Sequence, residues 1–268
     1  MSASHPTPLA LLRRWVVDYF NPHNPAAARE FISADYTLHI GDVVFAGRDQ
    51  QWLPAVDELM RRFPGLGMTV HEVVATDKRA ALWFSQHGAQ DGSGGPVAVW
   101  SGVAIYRCQD GRMTSCVAQE DYLTRSRQLK SGQADPVEPP AGAPWDTPQR
   151  PSDPIAEDIV WHWLADGWIA GGDEVRHDDE HLTGDRLLFD VESVEVLELF
   201  SSGPTVAFHA RQHGRYRGGL PGTPTGGLAS QHLACNGIVH VHQGSVSHGR
   251  VIRDRVGLRA RLRSGGNT

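Results

Sequence analysis

The chain has 268 residues, a formal net charge of −6, 40% hydrophobic and 21% charged residues. This composition excludes a disordered or fibrous chain and fits an ordinary globular protein with a real core. The acidic balance argues against a nucleic-acid partner, which calls for a basic patch. The three cysteines, Cys108, Cys116 and Cys235, have no framework spacing and suit a reducing compartment. No leader-like segment and no apolar run of membrane-spanning length is read, so a cytoplasmic protein without a membrane partner is expected.

Leu12, Trp15, Val16 and Tyr19 stand at i, i+3, i+4 and i+7, the stripe of an amphipathic helix that Asn21-Pro22 ends. A short second helix is expected over 25–32, then a strand over 36–40. Residues 49–62 read as a third helix with Trp52, Val56, Leu59 and Phe63 on one stripe; Pro54 falls in its first turns, where proline is tolerated. The segments 70–75, 80–87, 96–107 and 112–119 read as strands separated by turn signals. Helices followed by an antiparallel sheet is an α+β order. Cys108 and Cys116 flank the Asp110-Gly111 turn, which makes them candidate cross-strand neighbours. Seven prolines between Pro136 and Pro154 mark a stiff linker over 131–154, and its Trp145 is expected to dock on one of the two flanking domains.

Beyond the linker the chain repeats itself. DYTLH at 35–39 returns as DIVWH at 158–162, VHEV at 70–73 as VLEL at 196–199, and QHG at 86–88 unchanged at 212–214. AIYRCQDG, ending at Gly111, returns as GIVHVHQG, ending at Gly244, and an aspartate follows each of these glycines, Asp121 and Asp254. Such self-similarity means a duplicated structural unit. The expected domains are 1–130, with a full helical set, and 155–268, with no counterpart of the first two helices and a polar segment (173–188) where the third would be. The two are expected to pack as an intramolecular pseudo-dimer, with further homo-oligomerisation left open. The trimmed end of the second domain needs cover from the linker or from the first domain.

Helices followed by a curved sheet, the GRYRGGLPGTPTGG loop at 214–227 and the turn-glycine, last-strand, aspartate pattern resemble the SnoaL-like polyketide cyclase family of the nuclear-transport-factor-2-like superfamily, here in two tandem copies. The resemblance implies a cone of helices on a strongly curved antiparallel sheet. It also implies an acid/base aspartate on the last strand. With the strand length held fixed, that position becomes Ala118 and Val251; a strand about three residues longer brings Asp121 and Asp254 there, and the Asp121-Tyr122 pair is similar to one in limonene-epoxide-hydrolase-like members. The arginine and aspartate of those hydrolases align with Phe84 and Gln86, and with Ala210 and Gln212. A ketosteroid-isomerase-like base falls near Ile40 and Trp163.

The candidate catalytic residues are His39, Asp121 and Glu72 in the first copy and His162, Asp254 and Glu198 in the second. A carboxylate at the mouth of an apolar cone is desolvated, which raises its pKa and fits it for proton transfer. A neutral imidazole on the first strand acts as base or polarises a carbonyl. Each has a structural reading as well: the aspartates cap the tail helices or pair with Arg125 or Arg253, the histidines are hydrogen-bonded in the fold, and the glutamates lie on a solvated sheet face. Tyr36, Phe84, Gln86 and Trp100, with Trp163 and Gln212, are assigned to substrate binding, and Trp83, Trp161 and Trp168 are further candidates for an aromatic wall. His177 and His181 stand at i, i+4, and His240 and His242 alternate along a strand, but neither pair has a clear third ligand, so no metal is expected. No dinucleotide, P-loop or nucleophile-elbow motif is present, and no cofactor is expected.

The expectation is therefore a cofactor-independent general acid/base enzyme of cyclase or isomerase type acting on a small apolar carbonyl or polyketide-like compound. Epoxide hydrolysis or epoxide-opening cyclisation is the alternative chemistry. A non-catalytic small-ligand-binding or scaffold protein is the alternative class.

Overall fold

The computed structural model describes residues 5–166, 174–183, 186–223 and 230–264. Helix α1 (Pro8–Arg14) starts where Thr7 Oγ1 accepts from Ala10 N and proline takes the first position. It continues as a π-helical stretch, Trp15–Phe20, and the expected stripe of Leu12, Trp15, Val16 and Tyr19 is buried, together with Leu11. Next come α2 (Pro25–Phe31), β1 (Ile32–Ile40), β2 (Val43–Ala46) and α3 (Leu53–Arg62), the last entered through a second π-helical stretch, Arg48–Trp52. Strands β3 (Gly67–Ala75), β4 (Arg79–Ala89), β5 (Val97–Gln109) and β6 (Arg112–Glu120) follow, and α4 (Tyr122–Ser131) closes the first half. The sheet order is β2-β1-β6-β5-β4-β3, with β1 parallel to β6 and the other pairs antiparallel. Strand β2 is additional to the sequence reading. Cys108 and Cys116 are not opposite each other: Cys108 pairs with Met113 and Cys116 with Tyr106.

Strand alternation divides this sheet between two tasks. Tyr36, Leu38, Ile40, Phe84, Ala104, Tyr106, Cys116 and Ala118 face the helices and join their core. Val74, Ala81, Val103 and Ile105, with Val117 and Trp83, face the other way, onto Phe200, Ala207, Ile238 and Ile252 of the second half. The halves therefore meet sheet back to sheet back, and the helical core of each lies on the face away from the contact.

The second half comprises α5 (Pro154–Ala165), β7 (Glu174–His177), α6 (Glu180–Thr183), β8 (Leu188–Ser202), β9 (Thr205–Gly218), β10 (Gln231–His242), β11 (Ser245–Arg253) and α7 (Arg255–Ser264). Its sheet runs β7-β11-β10-β9-β8, and β7 is parallel to β11 as β1 is to β6. Two expectations are corrected here. DIVWH is helix, not strand. Asp153 caps it by accepting from Ile155 N and Ala156 N, Pro154 takes the first position, and Ala156, Val160, Trp163 and Leu164 form a buried helical stripe. The second half thus has a helix before its sheet, and the counterpart of β1 is β7, within the segment read as a polar third-helix region. Trp168 and residues 224–227 of the glycine-rich loop lie outside the described residues.

Polar contacts between the halves follow the same pseudo-twofold relation. Glu72 on β3 reaches His240 at 2.6 Å, while Glu198 on β8 reaches Arg107 at 3.1 Å. Asn236, fully buried, donates to the carbonyls of Val103 and Val117, both at 3.0 Å, and accepts from His209 Nδ1 at 2.8 Å. The linker runs over β3: Ala141 N donates to Val70 O, His71 Nδ1 donates to Pro139 O, and Trp145 packs on the first core. Asn236→Ala strands two buried carbonyls and one imidazole, so it is expected to lower unfolding free energy by about 1–3 kcal/mol. A denaturant midpoint unchanged from the parent protein would show that Asn236 does not join the halves.

Candidate active site

The first cone encloses a cavity of about 440 Å³. Trp15 and Phe20 from the first helix, Tyr36 and Leu38 from β1, Trp52 and Leu59 around α3 and Phe84 from β4 make most of its wall apolar. Glycine at 102 is required here, because a Cβ would stand 2.4 Å from the Phe84 ring that crosses it. Tyr36 and Tyr106 both hydrogen-bond Cys116, and burial pushes the two phenols far above their usual range, so they present neutral hydroxyls.

One carboxyl sits deep in this wall. Glu120 ends β6, where alternation from Cys116 and Ala118 turns it inward. Trp100 Nε1 donates to its Oε2 at 2.8 Å and Gln86 Nε2 to its Oε1 at 3.4 Å, while the Tyr122 hydroxyl and the Arg125 guanidinium lie alongside. Glu120 is half-buried and lines the cavity. Desolvation pushes its pKa up, and the hydrogen bonds from Trp100 and Tyr122 and the charge of Arg125 restrain the rise. A carboxyl so placed changes protonation state closer to neutrality than a free glutamate and is held at fixed orientation, which is what a proton shuttle needs.

Of the residues assigned from sequence, Tyr36, Phe84 and Gln86 line this cavity, and Trp100, fully buried behind it, holds the carboxyl. The proposed catalytic residues are not brought together there. Asp121, one residue beyond Glu120, points the opposite way: it caps α4, accepting from Thr124 N at 3.1 Å and Thr124 Oγ1 at 2.7 Å, and it pairs with Arg255 at 2.5 Å. His39 lies on the outer face of β1, in a groove between the sheets with Asp42, Arg107 and His209. Glu72 and Glu198 are the cross-half ion pairs already described. His162 is exposed on α5, bonded to the carbonyl of Asp158, and Trp163 is core on the same helix. Asp254 caps α7 through Gly257 N at 2.8 Å. Gln212 is buried on β9. Trp161 is exposed, and Trp83 packs in the contact between halves.

Glu120 was missed although a signal was present. Ala118 marks the inward face of the last strand, so the next inward position is 120, and a move to 121 crosses to the other face.

The same place in the second half is chemically different. Gly102 pairs with Glu120, and its counterpart Cys235 pairs with Arg253. Arg253 is buried and neutralised by Asp178 at 2.7 Å and by Glu180. Leu233 replaces Trp100, opposite Gln212. No proton-transfer group stands at this position. His177 is on β7 and His181 on α6, so no single helix carries both, and among the described residues no group of three or more His, Cys, Asp or Glu is placed to hold a metal ion. No described helix is long and apolar enough to cross a membrane.

Residues 12–116 match the profile of a family described as "SnoaL-like domain". No curated protein matches the chain. Similar solved structures include IdmH of Streptomyces antibioticus, described as a candidate polyketide cyclase, with 21% identity, 47% of this chain and 99% of that one covered, and a TM-score of 0.42. A candidate SnoaL-like polyketide cyclase of Jannaschia sp. CCS1 has 16% identity, coverages of 49% and 96%, and a TM-score of 0.44. An LEH-like epoxide hydrolase of M. tuberculosis has 12% identity, coverages of 47% and 90%, and a TM-score of 0.40.

The roles of the adjacent acids separate in stability measurements. A buried acid whose folded pKa is raised contributes stability below its unfolded pKa and loses it as pH rises through the folded value. Glu120→Gln is therefore expected to raise the melting temperature at neutral pH, with the gain shrinking on acidification. Asp121→Ala leaves Arg255 without one of its carboxylates and removes a cap, and is expected to cost about 3–5 kcal/mol. Melting curves of both variants from pH 4 to 8 check this; equal losses at every pH would refute the distinction.

Proposed function

We propose, from the premise that the first half of the chain is a SnoaL-like domain, that this protein is a cofactor-free acid/base enzyme of cyclase or isomerase type acting on a small, mostly apolar carbonyl compound. The observation that carries the reading is Glu120, a desolvated carboxyl on the wall of a ligand-sized apolar cavity. In its ionised form it takes a proton from the carbon alpha to a carbonyl. Trp100 and Gln86 fix the direction of attack. The neutral hydroxyls of Tyr36 and Tyr106 exchange their hydrogen bonds to Cys116 for the developing oxyanion and stabilise it. The protonated carboxyl then returns the proton to the alkoxide that ring closure leaves, or to the carbon from which a shifted double bond has moved.

Epoxide opening is less well served. It needs an acid for the leaving oxygen beside a base, and the other carboxyl among the described lining residues, Glu58, pairs with Arg61 at 2.6 Å. A scaffold role leaves the open first cavity and its buried acid without a purpose. In the second half Arg253 and its acidic partners occupy the corresponding position, which fits a structural partner for the working half.

Exchange of the alpha protons of 1-tetralone in deuterium oxide, followed by NMR, tests the base directly. The protein is expected to accelerate exchange, Glu120→Gln to remove about 10²–10⁴-fold of the rate, and His39→Ala to leave it unchanged. The acidic limb of the pH–rate profile is expected above the ordinary glutamate value of about 4.3. Acceleration that survives Glu120→Gln, or none in the parent protein, would sink the reading.

A further inference from the structure

We infer that the substrate of the first cavity carries a carboxylate, bound by Arg125 on the wall with Arg62 at its side. The inference rests on the reading of this cavity as the reaction site.

Arg125 stands in the first turn of α4 and lines the cavity with Arg62, Glu58 and Glu120. Its guanidinium lies over three aromatic faces, with Cζ 4.2 Å from the Tyr122 ring centroid, 5.1 Å from Trp100 and 6.0 Å from Phe63. Rings stabilise a cation through their faces and leave the N–H edge of the guanidinium free. Among the described residues no carboxylate lies within ion-pair distance of Arg125 and no acceptor takes its N–H groups. Glu120 feels its charge but is held by Trp100, Gln86 and Tyr122 instead.

The other deeply placed arginines of this chain are all paired. Arg250 meets Glu138 and Asp179, Arg253 meets Asp178 and Glu180, and Arg255 meets Asp121 and Asp178. Arg125 departs from that pattern on the wall of the mostly apolar cavity of the first half.

Arg62 reinforces the departure. Its neighbour Arg61 pairs with Glu58, whereas Arg62 has no ion pair among the described residues and sits 5.6 Å over the same Phe63 ring. Burial pushes the Arg125 pKa down, nearby Tyr122 and Glu120 oppose that, and the Arg62 charge adds a smaller push downward. Arg62 adds a second positive charge at the solvent side of the cavity, where it favours an anion bound at Arg125. A planar carboxylate matches the paired N–H edge of a guanidinium, and its apolar remainder matches the walls. Ionised Glu120 opposes a second anion, so the arrangement also predicts that neutralising Glu120 strengthens carboxylate binding.

Calorimetric titration of the full chain with 2-naphthoate and with 2-naphthamide, equal in shape and different in charge, tests the inference. The carboxylate is expected to bind at least about 10-fold more tightly, the worth of one charge-assisted contact. Arg125→Met is expected to abolish this preference while keeping the amide affinity, which shows that the cavity is intact. Glu120→Gln is expected to preserve or enlarge it. Equal affinities in the parent protein overturn the carboxylate inference and leave the cavity reading standing. A preference that survives Arg125→Met overturns the role of Arg125. Failure of both compounds to bind at millimolar concentration overturns the carboxylate inference and the cavity reading together.

Discussion

The buried carboxylate of Asp121 is the joint on which the rest of the molecule depends. It caps α4, pairs with Arg255 of the second half and accepts from the backbone N–H of Asp179 at 3.2 Å. Through Arg255 and Asp178 the joint continues to Arg253 and Glu180, and through Asp179 to Arg250 and the linker's Glu138. A buried charge array of this kind is strongly destabilised by removal of one member. It also pins the last residue of β6. Because Asp121 is drawn outward to the second half, Glu120 is turned inward to the cavity. The pairing of the halves and the aim of the acid are thus set by two consecutive residues, the last of β6 and the cap of α4, which point opposite ways.

The repeated polar residues gain a different meaning in this light. Glu72 and Glu198 recur because each half offers an acid to the other's sheet, to His240 in one direction and to Arg107 in the other. Asp121 and Asp254 recur because each tail helix needs a cap. Residues shared by two copies report what the copies share, which is a fold and a mutual interface. The proposed chemistry belongs to one copy and sits where the copies differ.

Much of the fold was legible in the sequence. Periodicity and turn glycines located α1, α3 and the four long strands of the first half, and VHEV/VLEL and QHG/QHG located their partners in the second. DYTLH/DIVWH misled because five-residue similarity does not encode geometry: Asp153-Pro154 and the Ala156–Val160–Trp163–Leu164 spacing specify a helix. The short β2 and β7 carry too few residues for a periodic signal. In the site, Gln86, Tyr36 and Phe84 are legible because alternation on β1 and β4 is regular, while Glu120 has Arg253 as its counterpart and so stands outside the repeated pattern. Arg125 as an unpaired cation was beyond the sequence, since pairing is a tertiary property.

Glu120 and Arg253 occupy the same place in two copies of one sheet, and they carry opposite charge. Two identical chains associating side by side cannot hold that arrangement, because every substitution in one is made in the other. Joining the copies through a linker removes the restriction. One half is then free to exchange its acid for a cation that locks its own interior, while the other keeps a cavity open. Covalent continuity lets a symmetric body carry two different interiors.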